Sequence, residues 1–120
     1  MSVVNEKPFD LEERTELFAK DVRLFLRSLP RTVSNDEDGR QLIRASGSVA
    51  ANYIEAQEAL SKKDFRMRVR ISRKEAKECR LWLRLLDVTG NRELSTRRDK
   101  LIAECFELIK ILTAIVKKSE

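Results

Sequence analysis

The residues of this chain that could do chemistry are six cations recurring every three or four positions between residues 66 and 84. At about 100° and 1.5 Å per residue, this spacing places all six along one face of a helix, over roughly 27 Å. Guanidinium and ammonium groups in such a row suit contacts with successive phosphates of a nucleic acid. We call these residues the basic ridge: Arg66, Arg70, Arg73, Lys77, Arg80 and Arg84.

A second interpretation of the basic ridge is that it is internally paired. Glu75 and Glu78 belong to the same helix, and charged rows on helices are commonly solvated and balanced by nearby acids. The ridge itself contains no interleaved aromatic residue, so the sequence gives no support for base stacking. Any nucleic-acid contact is therefore expected to go to the backbone or to the shape of the molecule.

An apolar stripe lies beyond the basic ridge on the same predicted helix, separate from the stripe that faces the core. A monomeric bundle needs one buried stripe per helix, so a second stripe that contains tryptophan predicts a contact between subunits. The alternative is a central helix with neighbours on both sides. We call these residues the outer stripe: Met67, Ile71, Leu81, Trp82 and Leu85.

The side chains that catalysis commonly requires are sparse. The chain has no histidine, and Cys79 and Cys105 lie on predicted apolar faces without a CxxC spacing. No glycine-rich phosphate loop, metal-ligand cluster or pair of carboxylates at a defined spacing is present. We therefore expect no enzymatic activity, no metal and no cofactor.

Asn52 and Glu55 are polar residues one turn apart among small apolar neighbours of the second predicted helix. A buried carboxylate is costly unless it is paired. We therefore expect these two residues to form an internal polar latch with an arginine or lysine of the third helix, whereas a catalytic role lacks a second partner.

Composition indicates the elements that position these residues. The chain has 120 residues, of which 38% are charged and 42% hydrophobic, with three glycines and two prolines. This composition favours a single all-α domain over residues 1–120. Apolar periodicity predicts an antiparallel up-down four-helix bundle, although the second and third helices could instead be fused. The predicted helices span about 10–29, 36–60, 62–88 and 96–118.

Short polar side chains predict where these helices begin. Asp10 with Glu13, and Ser34 with Glu37, have the spacing of a capping box. Ser61 is the expected cap of the third helix, and Ser95 or Thr96 that of the fourth. Glycine inside a helix costs about 1 kcal/mol of stability relative to alanine. We therefore expect Gly47, inside the second helix, to be present because a neighbouring backbone packs closely against it.

Net charge and hydropathy bear on partners and location. The chain carries 25 Lys and Arg against 20 Asp and Glu, a net charge of +5, which favours anionic partners. Met1 to Phe9 lacks a basic segment followed by an apolar run, and no stretch approaches the ~20 apolar residues of a membrane span. A cytoplasmic protein without a membrane partner is expected.

Three stretches of the sequence carry a resemblance to a known family. They are SVAANYIEA at positions 48–56, SKKDF at 61–65, and the segment from Ile71 to WLRLL at 82–86. With them the chain resembles the bacterial four-helix-bundle proteins encoded in intervening sequences of large-subunit ribosomal RNA genes, which are related to accessory proteins of diversity-generating retroelements. The resemblance implies a protomer that assembles into a ring-shaped homopentamer and binds nucleic acid through a basic surface.

Two functional hypotheses follow. The first is a non-catalytic, homo-oligomeric bundle that binds structured RNA or DNA through the basic ridge. The second is a scaffold whose basic residues are paired internally and whose apolar surface recruits an unidentified protein.

Overall fold

The computed structural model describes residues 10–120, which form four α-helices; the first nine residues of the predicted domain lie outside this range. The second and third helices are separate, so the fused alternative is wrong. The helices are α1 (Leu11–Arg27), α2 (Val33–Gln57), α3 (Lys62–Leu85) and α4 (Arg92–Ser119).

Two helices begin at the caps expected from the sequence. A carboxylate oxygen of Asp10 accepts a hydrogen bond from the Glu13 backbone N–H at 3.1 Å. The Ser61 hydroxyl accepts one from the Asp64 N–H, also at 3.1 Å. Each bond satisfies an amide that the first turn of a helix leaves without an intrahelical partner.

The other two helices begin earlier than predicted. Thr32 caps α2 in place of Ser34, and Asn91 caps α4 in place of Ser95. All four side chains have capping chemistry, and the earlier residue lengthens α2 by about half a turn and α4 by about one turn. The third helix ends at Leu85, three residues before the predicted end at residue 88. Gly90, with φ of +77°, lies in the turn between α3 and α4.

Neighbouring helices run antiparallel. The Ser72 hydroxyl of α3 donates to the Val49 carbonyl of α2 at 2.8 Å, and Arg68, one turn earlier in α3, donates to Asn52, which lies later in α2. The start of α3 lies beside the end of α4, and α1 closes the bundle against α4 through Arg14, which binds both carboxylate oxygens of Glu104 at 2.7 and 2.9 Å. The protein is thus an all-α, four-helix bundle.

The core consists of the apolar faces that the heptad spacing predicted, including Phe25, Leu42, Leu83 and Leu108, all fully buried. The second helix was predicted to continue to about residue 60, but α2 ends at Gln57. Leu60 therefore lies beyond the helix, where the helical periodicity no longer places it on the buried face, and it is 99% exposed.

Gly47 does not have the packing role predicted for it. Outside its own helix, a Cβ at this position would meet, among the described residues, only the Arg23 guanidinium, at 3.7 Å. That is an ordinary van der Waals distance. A methyl group therefore fits at this position, and no close backbone approach requires glycine.

The buried side chain of Asn35 joins the two turns at one end of the bundle. Its Nδ2 donates to the carbonyls of Pro30, at 3.2 Å, and Asp87, at 3.1 Å. Its Oδ1 accepts from the Asp87 N–H at 2.8 Å. The α1–α2 turn is therefore fixed to the α3–α4 turn.

Candidate nucleic-acid interface

The basic ridge lies along the side of α3 that packs against α4. Its first two members reach the C-terminus of that helix. Arg66 Nη1 donates to the Ser119 carbonyl at 2.7 Å, and Arg70 Nη2 lies 3.7 Å from a carboxylate oxygen of Glu120. A helix C-terminus carries partial negative charge, so it favours cations at this position. The Arg70–Glu120 pair is about half exposed, which makes it a weak ion pair.

The middle of the ridge contacts uncharged groups of α4. Arg73 Nη1 donates to the Thr113 hydroxyl at 3.3 Å. The Arg80 guanidinium lies over the ring of Phe106, 4.6 Å from its centre, in a cation–π arrangement. Arg80 Nε is buried and has no acceptor among the described residues. These contacts position both arginines without neutralising them.

Lys77 and Arg84 complete the ridge and are exposed. No carboxylate in residues 10–120 lies within 4.0 Å of either cation. In the described chain the six ridge cations therefore form ion pairs with a single carboxylate, that of Glu120. The ridge retains most of its positive charge.

Glu75 and Glu78 do not pair with the ridge, contrary to the internally paired interpretation. They lie on the α2 side of α3, where Arg44 Nη1 approaches Glu75 at 3.9 Å and Arg44 Nη2 binds Glu78 at 3.4 Å. Glu75 is buried, with Lys74 at 3.8 Å, and one of its oxygens lacks a hydrogen-bond donor within the described residues. Burial raises the pKa of Glu75, and the neighbouring charge of Glu78 adds to this effect.

The outer stripe has exposed and half-buried members. Met67, Leu81 and Leu85 are each roughly half exposed. Ile71 and Trp82 are half-buried, and Trp82 packs against the core. The Trp82 indole N–H is buried and, in the described part of the chain, has no acceptor. Three large apolar side chains of the stripe are therefore open to solvent in the single chain.

The predicted polar latch forms with one of its two residues. Asn52 Oδ1 accepts a hydrogen bond from Arg68 Nη1 of α3 at 3.3 Å, and its Nδ2 donates to the carbonyl and hydroxyl of Ser48. The Glu55 side chain is exposed and forms no hydrogen bond or ion pair with any residue of 10–120. The prediction that Glu55 belongs to the polar latch was wrong, because this residue lies on the solvent side of α2, where a carboxylate needs no partner.

The thiols of Cys79 and Cys105 are buried in the core as free cysteines. Burial raises the pKa of both, that of Cys105 to about 12, so neither is an activated nucleophile at neutral pH. Within residues 10–120, no three or more Cys, Asp or Glu side chains are grouped so that they could hold a metal ion.

Phe106 is the residue of this surface that the sequence interpretation missed. The spacing that defines the ridge relates residues of α3 alone, and Phe106 belongs to α4. It is 48% exposed, and the Arg80 guanidinium lies over part of its ring.

Comparisons with known proteins identify the family. Residues 9–114 match the family model described as 23S rRNA-intervening sequence protein. The chain is similar to a crystallised protein of unknown function from the S23 ribosomal protein family of Bacteroides thetaiotaomicron VPI-5482. The TM-score is 0.71 and the identity 29%, over 88% of this chain and 97% of that chain.

The same comparisons found no match among curated proteins. Within the described residues, no helix has the length and apolar character needed to cross a membrane. Because the family model covers most of the chain, and the fold agrees with that of a solved member of the S23 family, the chain belongs to the 23S rRNA-intervening sequence protein family.

Proposed function

We propose that this chain is a non-catalytic helical bundle of the bacterial cytoplasm that assembles into a ring of five copies and binds structured RNA or DNA. The binding surface is the basic ridge together with the adjoining side of α4. Phosphates are the groups it contacts.

The charge balance of the ridge supports this proposal most directly. Four of the six cations are positioned by a carbonyl, a hydroxyl, an aromatic ring and one half-exposed carboxylate of α4. Lys77 and Arg84 have no carboxylate partner in residues 10–120. Positioned but largely unneutralised cations favour a polyanion, whose binding releases counterions.

The surroundings of the ridge also indicate which parts of a nucleic acid it would recognise. Phe106 is the aromatic ring that the structure places beside it, and Arg80 covers one part of that ring. A single partly covered ring offers little base stacking compared with a row of exposed aromatic side chains. Contacts should therefore go mainly to phosphate and sugar, with weak dependence on base sequence.

The outer stripe supports self-association. Met67, Leu81 and Leu85 are exposed on the single chain, beside the buried indole N–H of Trp82, which has no acceptor within residues 10–120. A cyclic oligomer joins two different surfaces of neighbouring copies, so the stripe would pack against another face of the next protomer. Burial there would remove these apolar side chains from water.

A protein-interaction scaffold is the second candidate. It is favoured by the contacts of Arg66 and Arg73 with α4, which give these two cations a role inside the protomer. Capture of partners from a native lysate separates the candidates. The scaffold predicts partners that survive nuclease treatment, whereas nucleic-acid binding predicts that they are lost.

Binding is tested most sharply at Lys77 and Arg84, the two ridge cations whose side chains form no hydrogen bond or ion pair within residues 10–120. Fluorescence anisotropy with a labelled RNA stem-loop and a DNA duplex should show weaker binding for Lys77→Glu with Arg84→Glu. The matched control is Lys20→Glu with Lys100→Glu, which makes the same change in net charge away from the ridge. No binding by the wild type, or equal weakening in the control, would overturn the proposal.

A further inference from the structure

A second cationic surface lies between α1 and α2, in a groove beside the α1–α2 turn. The groove is open to solvent on one side and has a volume of about 640 Å³, within the size range of small-ligand sites. Four arginines line it from both helices and the turn, together with four apolar side chains and with Asn35, Asp36 and Gly39. The arginines are Arg23, Arg27, Arg31 and Arg40, and the apolar residues are Leu26, Leu29, Pro30 and Ile43.

One of the four arginines is neutralised inside the groove. Arg31 binds Asp36 through two hydrogen bonds of 2.9 and 3.3 Å, and these hold the pKa of the Asp36 carboxyl below its usual value. Asp36 therefore remains ionised at neutral pH and balances Arg31. It is the one acidic residue that lines the groove among the described residues.

The other three arginines keep most of their charge. Arg23 donates to its own helix, at the Ala19 carbonyl, and Arg40 lies 3.6 Å from Glu37 in a pair that is two-thirds exposed. Arg27 has no carboxylate within ion-pair distance in residues 10–120. Because Arg23 and Arg27 are one turn apart on α1, they repel each other, and a bound anion would relieve this repulsion.

The turn that forms one end of the groove is held in place. The Pro30 carbonyl accepts from the buried Asn35 side chain, which also binds the α3–α4 turn. Gly39 lies on the groove wall, where an added Cβ would come within 3.4 Å of Leu26. A preformed groove loses less conformational entropy when it binds a ligand.

We propose that this groove binds a nucleotide. Its phosphate would lie between Arg27 and Arg40, since guanidinium groups bind phosphate oxygens in a bidentate manner. Its flat ring would pack against Pro30 and Ile43, which supply the apolar contact that inorganic phosphate cannot use. The same chemistry is offered by a free nucleotide and by the 5′-phosphorylated end of a nucleic-acid strand.

Calorimetric titration with adenosine monophosphate tests the site on the full chain. Arg27→Gln with Arg40→Gln should weaken binding at least about tenfold, the effect of losing charge-assisted hydrogen bonds. Lys20→Gln with Arg92→Gln, which changes the net charge equally outside the groove, should leave binding unchanged. Absence of binding by the wild type, or equal losses in both variants, would overturn the proposal.

Ile43→Gln separates a nucleotide site from a general anion site. This variant should weaken binding of adenosine monophosphate but not of inorganic phosphate, whereas equal effects on both would contradict the ring contact. Two oligonucleotides differing only in a 5′-phosphate identify the source of the ligand. If the phosphorylated strand binds more tightly, and the groove variant loses that preference, a strand end is the ligand; if not, it is a free nucleotide.

Discussion

The Arg80 guanidinium of α3 lies 4.6 Å from the centre of the Phe106 ring of α4. The ring attracts the cation through its quadrupole, yet it contributes no negative charge. Arg80 is therefore held at the surface between the two helices while its charge remains available. The cationic surface is a property of the α3–α4 pair and not of α3 alone.

Replacing Phe106 tests whether this positioning matters for binding. Phe106→Ala should lower the affinity for an RNA stem-loop about two- to fivefold, corresponding to an exposed cation–π contact of about 0.5–1 kcal/mol. Phe106→Tyr keeps the ring and should retain wild-type affinity. Anisotropy titration measures both, and an alanine variant as tight as the wild type would show that the ring does not support the binding surface.

The outer stripe predicts a change in assembly. Leu81→Asp with Leu85→Asp should lower the mass measured by light scattering while circular dichroism still shows a helical protein, because both side chains are roughly half exposed on the protomer. These positions are a cleaner test than Trp82, which also packs against the core.

Val33→Asp with Leu60→Asp is the matched control for assembly, since these side chains are 83% and 99% exposed and lie outside the stripe. The control should keep the wild-type mass. A wild-type protein that is monomeric at all concentrations would contradict self-association. An unchanged mass after the stripe substitutions would exclude this surface as the interface.

Gly47 predicts a stabilising substitution. Gly47→Ala should raise the free energy of unfolding by up to about 1 kcal/mol, because alanine favours helix and the new Cβ meets no clash. Gly90→Ala is the control of opposite sign, since φ of +77° is unfavourable for alanine by about 1 kcal/mol or more. Urea denaturation measures both, and a destabilised Gly47→Ala would show that packing needs the glycine.

Glu75 predicts a pH-dependent effect on stability. Its pKa is raised in the folded chain, so above about pH 4 the folded state binds more protons than the unfolded state. The contribution of Glu75 to stability therefore falls as the pH rises through its raised pKa.

Glu75→Gln removes the titrating carboxyl group and leaves its charged neighbours Arg44, Lys74 and Glu78 in place. The free energy of unfolding of the variant, relative to wild type, should increase from about pH 4 to about pH 7. Glu55→Gln, the same substitution at an exposed position, is the matched control. A constant difference for Glu75→Gln across this range would contradict the raised pKa.

Local chemistry made much of the fold predictable. The caps at Asp10 and Ser61 and the core heptads depend on residues within one helix, so the sequence pattern indicated them directly. The starts of α2 and α4 were less certain because Thr32 and Ser34, like Asn91 and Ser95, are equally suitable caps. Helix ends are where such neighbouring alternatives compete.

Contacts between distant residues were not predictable from the sequence. Asn35 lies in the polar segment just before the predicted second helix, yet its side chain is buried and binds the backbone of Asp87. Phe106 and Arg80 belong to different helices, so no spacing within one helix relates them. Glu75 faces α2 because of how α3 is rotated about its own axis in the bundle. The apolar periodicity of the sequence determines that rotation only to within about one residue.

Salt dependence tests most directly whether the basic ridge binds phosphates. The logarithm of the association constant for an RNA or DNA duplex, plotted against the logarithm of salt concentration, should fall with a slope of about −0.9 per phosphate neutralised. Lys77→Gln with Arg84→Gln should make this slope shallower by up to about two units. A slope that is the same in the wild type and this variant would contradict phosphate contacts by the ridge.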